Sequence, residues 1–214
     1  METNRIEIRT LIISMAAILC VEAVVRGVVR GSPLDPMIVL GVIRLLEIAS
    51  LVLVAILWGG GLTSMGLAGS SGVHGLTRGL LWSAGFGMGA LAAHLTLYAV
   101  GINGVSLIRT HLPRDSGNIA LFFLVGGLVG PIAEEVFFRG VLYGFFRRWG
   151  ILVALAFTTF IFVLAHPVFP SIPVTKVVGG IVFGLAYEIE ENLVVPITIH
   201  ALGNMAIFTL SLIS

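Results

Sequence analysis

Polar residues break the chain only at intervals, and between them run long apolar stretches without the alternation of a half-buried strand. Hydrocarbon offers backbone N–H and C=O groups no partner, so such stretches fold as helices that satisfy themselves. The pattern predicts seven helices, over 10–29, 37–58, 79–102, 118–146, 151–166, 172–188 and 192–213. Helix breakers separate them: Gly31 to Pro36, Gly59 to Gly75, Pro113 to Gly117, and the cluster Pro167, Pro170 and Pro173 that closes the fifth helix. The Gly59–Gly75 segment is the longest connector, with room for a short interfacial helix around Leu62 to Leu67. Residues 11 to 25 look like a signal-peptide core, but Glu22 interrupts them and no A-x-A site follows, so they are read as the first membrane helix. The expected fold is an all-α polytopic membrane bundle around a buried polar site, with residues 1–214 forming one integral-membrane domain.

Composition agrees. Of 214 residues 57% are hydrophobic and 11% charged, and the mean hydropathy is +1.09. A soluble domain of this size would carry roughly twice that charge. The net charge of +1 provides no basic field, which sets nucleic acid aside as a partner. The lone Cys20 excludes an intrachain disulfide. Lys and Arg divide evenly between the two sides of the bundle, so charge does not orient it.

A charge at mid-membrane costs at least ~2.5 kcal/mol, which makes each one a functional candidate. Arg44 and Glu47, three apart, are expected to neutralise each other, with Glu22 joining. His94 is expected to hydrogen-bond between helices, and Glu188, Glu190 and Glu191 to form a solvated turn. The fourth helix differs, because it holds two adjacent carboxylates and an arginine four residues after the second. Glu135 and Arg139 share a face and should pair, whereas Glu134 projects about 100° away. The unclaimed Glu134 is the candidate general base. Phe162 and His166 share a face of the fifth helix, as do His200 and Asn204 on the last. Pro131 and Pro196 free backbone carbonyls close to these residues. At ~1.5 Å per residue, Glu134, His166, His200 and Asn204 lie ~20, ~24, ~12 and ~18 Å from one side, within one slab of the membrane.

These residues sit in recognisable strings: EEVFFRG (Glu134 to Gly140), FVLAH (Phe162 to His166) and HALGN (His200 to Asn204). In order and spacing they resemble the three signature motifs of the CPBP (ABI) family, which includes the type II CAAX prenyl endopeptidases, over a core of about 118–208. The resemblance implies a glutamic-type intramembrane endopeptidase in which Glu134 and His166 activate water and His200 with Asn204 stabilises the oxyanion. Glu135, Arg139 and Phe162 support them. No cofactor is expected; the competing version is a zinc enzyme with Glu134, His166 and His200 as ligands. The implied partners are membrane lipid and a membrane-anchored or lipidated protein substrate. The small chain points to a prokaryotic cytoplasmic membrane. A non-catalytic immunity or binding protein and a proton-coupled transporter are the alternatives from other classes.

Overall fold

A computed structural model describes residues 6–67, 72–166 and 174–213. Among them seven long helices succeed one another: α1 (Ile8–Val28), α2 (Pro36–Trp58), α3 (Gly72–Ala99), α4 (Ser116–Trp149), α5 (Ile151–Leu164), α6 (Val174–Glu190) and α7 (Val194–Ile213). The chain is a polytopic integral membrane protein. α1 to α4 and α7 are long and apolar enough to cross a bilayer. α5, with 14 residues, spans only ~21 Å at ~1.5 Å per residue. A bilayer core is ~30 Å thick, so His166, two residues past the end of α5, lies at membrane depth.

Several expectations are corrected. α3 begins at Gly72 rather than 79, because Gly75 does not break it but is buried within it, as Gly79 is, against Asn192, Val194 and Thr198. A Cβ on Gly79 would stand 2.6 Å from the Cβ of Thr198, so only glycine permits this approach. The short helix expected around Leu62 to Leu67 is present as a 3-10 helix, Leu62–Met65, but Ser64 and Met65 are buried in the bundle. The cluster Pro167, Pro170 and Pro173 lies outside the described residues. His94 lies against Gly104 and tilts on the Tyr98 ring, and its Nδ1 has no hydrogen-bond partner among the described residues. Glu22 pairs with Arg26 on its own helix and does not join Arg44 and Glu47. Two of the three acidic residues near 190, Glu188 and Glu190, are interhelical ties, while Glu191 is exposed beyond the end of α6. Glu188 accepts from Arg147 and Tyr143 of α4, and Glu190 accepts from Arg78 and Trp82 of α3. Local sequence showed a charge run because the partners lie 41 to 112 residues away.

α4 carries the site and is not a uniform helix. Two wide π segments, Val125–Val129 and Val136–Tyr143, flank the single α turn Gly130–Glu135. Pro131 accounts for part of this: with no N–H it cannot take up the helical bond to a carbonyl one turn back.

Candidate active site

The geometry builds outward from Arg139. Its guanidinium is fully buried and donates from Nη1 to Glu135 Oε1 at 3.0 Å and from Nη2 to the Gly180 carbonyl of α6 at 3.1 Å. Phe162 and Phe183 lie 5.0 and 5.3 Å from it, so an apolar shell closes around the pair. A Cβ on Gly180 would meet the Thr159 methyl at 2.8 Å, which explains why the carbonyl approaches so closely at a glycine. Glu135 Oε1 also lies 2.7 Å from Nδ1 of His200 on α7. The ring of Phe183 stacks on that imidazole at 4.6 Å.

His200 therefore stands between the adjacent carboxylates. Its Nδ1 meets Glu135, and its Nε2 points to Glu134 Oε2 at 3.8 Å. His166 approaches from the other side, with Nε2 3.7 Å from the same oxygen and Nδ1 2.7 Å from the Phe162 carbonyl. A carbonyl can only accept, so Nδ1 of His166 carries the proton. Nδ1 of His200, facing a carboxylate already paired with arginine, carries one by the same logic. In the neutral rings both Nε2 atoms are then lone pairs. Three acceptors thus converge at separations too long for direct hydrogen bonds. Glu134 Oε2 is buried and has no partner among the described residues. A water placed beside them would give its hydrogens to Glu134 Oε2 and to Nε2 of His166.

Phe162, itself fully buried, packs against both imidazoles, with centroids 4.8 Å from His166 and 5.9 Å from His200. Asn204 is placed differently from the histidines. Its Nδ2 donates to the Gly126 carbonyl at 2.9 Å. In this π segment Gly130 N–H bonds to Val125, five residues back. The next residue is Pro131, which has no N–H for Gly126, and Asn204 fills that vacancy. One amide hydrogen of Asn204 is committed to holding α7 on α4, leaving the other for chemistry. Asn204→Ala is expected to lower unfolding free energy in detergent by about 1–3 kcal/mol through the orphaned carbonyl. Pro131→Ala restores a backbone donor there, so the same change should cost less in that background. Equal losses in the two backgrounds of a double-mutant cycle would contradict this account.

A cavity of about 330 Å³ opens beside Glu134 and His166 between α1, α2, α4 and α5. Its wall includes Phe137 and Phe138 of α4 and, from α2, Arg44 and Glu47. Sequence reasoning treated the α2 pair as internal neutralisation and gave no sign that it would line this cavity. Phe183 and the Gly180 carbonyl carried no sequence signal. Among the described residues no three His, Cys, Asp or Glu side chains are grouped closely enough to hold a metal ion. A zinc ion on Glu134, His166 and His200 would require these side chains to draw inward.

Residues 116–206 match the family described as Rce1-like type II CAAX prenyl endopeptidase. The chain is also 37% identical over 93 residues to the membrane-embedded CAAX protease MroQ of Staphylococcus aureus (strain USA300). That match covers 40% of this chain and 37% of the relative, so it spans little more than a third of the relative's length. No solved structure matches the chain. Every residue of the convergent site lies inside the matched region.

Proposed function

We propose that this chain is an intramembrane endopeptidase, a reading supported by the match of residues 116–206 to the Rce1-like type II CAAX prenyl endopeptidase family. It hydrolyses a peptide bond near the membrane end of a membrane-anchored or lipidated protein, of the CAAX type or a related C-terminal processing signal. The observation that supports this most is the convergence of Glu134 Oε2 with the Nε2 atoms of His166 and His200 beside an accessible cavity.

In this reading a water held by Glu134 and His166 attacks the scissile carbonyl carbon, and Glu134 takes its proton. The carbonyl π pair moves onto oxygen. For this role His200 gains a second proton, on Nε2, from the medium before the attack, so that Nε2–H donates to the oxyanion while Glu135 balances the charge. Asn204 adds its remaining amide hydrogen. Collapse of the intermediate breaks the C–N bond, the electron pair goes to nitrogen, and Glu134 returns the proton to the leaving amine. The products are a new carboxyl terminus and a new amino terminus. The apolar wall of Phe137 and Phe138 suits a substrate delivered from lipid.

The test is a quantitative comparison of peptide termini in host membranes bearing the wild-type protein or Glu134→Gln at equal expression. Defined termini should disappear in the variant, and they name substrate and bond together. Unchanged termini would overturn the reading in favour of binding or transport. The zinc version has its own test, since the same three acceptors are plausible ligands. Purified protein stripped by chelator is expected to keep its rate; activity lost with one equivalent of zinc and restored on readdition would replace the metal-free mechanism.

A further inference from the structure

An intramembrane protease meets a difficulty that a soluble one does not. To be cut, the substrate must be extended, and its backbone N–H and C=O groups flanking the scissile bond lose their helical partners where little water competes for them. The cavity beside Glu134 contains two groups that neither the proposed chemistry nor the matched region uses. Arg44 donates from Nη1 to Glu47 Oε2 at 2.6 Å, and its side chain remains 28% exposed. Glu47 is 3% exposed, and its other oxygen, Oε1, is buried with no hydrogen-bond partner among the described residues. Both residues line the same cavity as Glu134 and His166. Glu22, the other acid in the wall, is occupied by Arg26.

Glu135 Oε2 is likewise buried without a hydrogen-bond partner among the described residues, but Glu135 does not line the cavity, whereas the orphaned carboxylate of Glu47 belongs to its wall beside Glu134. We propose that the Arg44–Glu47 pair of α2 is a main-chain clamp for the substrate: Glu47 Oε1 accepts a backbone N–H, and the free guanidinium N–H groups of Arg44 donate to a backbone carbonyl, beside the bond held over Glu134. The pair offers one acceptor and several donors on a rigid element, matching the alternating polarity of an extended peptide. It recognises backbone rather than side chains, so it binds any extended segment that reaches the cavity. This inference rests on the endopeptidase reading.

The experiment uses synthetic peptides spanning the cut identified by the terminal comparison, assayed with full-length protein in detergent micelles. Each backbone amide near the cut is replaced in turn by an ester, which removes one N–H and keeps the side chain. With the wild-type protein one ester position should lower kcat/KM about tenfold, mainly through KM, as loss of a hydrogen bond to a charged acceptor does. In Glu47→Met that position-specific penalty should vanish, and in Glu47→Gln it should shrink. Arg44→Gln should raise KM for every peptide. The ester-to-amide ratio is taken within each preparation, so a reduced yield of folded protein cancels. A penalty of the same size in wild type and both Glu47 variants, or no position-specific penalty in the wild type, would overturn the clamp. A wild-type protein that cuts no all-amide peptide overturns the protease reading itself, a result distinguishable from failure of the clamp.

Discussion

Glu134→Gln removes peptide hydrolysis by at least about 10³-fold while the protein stays folded in the membrane. General-base catalysis contributes about 10²–10⁴-fold, and the carboxamide keeps the shape of the side chain but cannot take a proton from water. Stability should hold because Glu134 forms no ion pair closer than 3.7 Å and no hydrogen bond supports the fold through Oε2. His166→Ala should lose about 10²-fold or more by disordering the same water. Because the two residues act on one water, the double variant should be little worse than Glu134→Gln alone, the non-additivity expected of groups that work as a unit. Single-turnover rates on one identified peptide measure all three. A Glu134→Gln rate within tenfold of wild type would remove the mechanism.

The second large effect concerns folding. Arg139→Met leaves Glu135 fully buried without its cation and is expected to destabilise the protein by about 3–5 kcal/mol, enough to deplete the folded form. The reverse change, Glu135→Leu, strands the guanidinium in the shell of Phe162 and Phe183 with a comparable penalty. Replacing both should recover part of the loss, because an apolar pair suits the apolar shell while the Gly180 carbonyl and Nδ1 of His200 remain without partners. The recovered double variant should still be inactive, since Nδ1 of His200 has lost the carboxylate that orients it. Chemical unfolding in detergent, read beside the cleavage rate, separates these outcomes. A double variant as unstable as either single one would show that the pair does more than balance charge.

The seven helices were legible because membrane solvent allows few structures, and most of their ends fell where glycine and proline punctuate the chain. The start of α3 was missed for a tertiary reason. Gly72 and Gly75 look like breakers locally, yet Gly75, like Gly79 one turn on, is a contact position, the two meeting Asn192, Val194 and Thr198. The Glu135–Arg139 bridge was legible because i,i+4 spacing is local, and it survives in a π segment. Glu188 and Glu190 were misread because nothing nearby in sequence shows that arginines 41 and 112 residues distant will meet them.

The same division runs through the site. Periodicity, composition and three short strings sufficed to place Glu134, His166 and His200 at similar depth in a helical membrane bundle, because rise per residue converts position into depth. What the strings could not specify is direction around each helix axis. Packing alone decided that both histidines turn Nε2 toward one oxygen of Glu134, and that Asn204 spends an amide hydrogen on the carbonyl Pro131 leaves unpaired. Packing also brought Arg44 and Glu47 into the same cavity. Helix formation and depth depend on neighbours within a few residues, whereas hydrogen-bond direction depends on helices far apart in the chain, and only the assembled bundle sets their rotation.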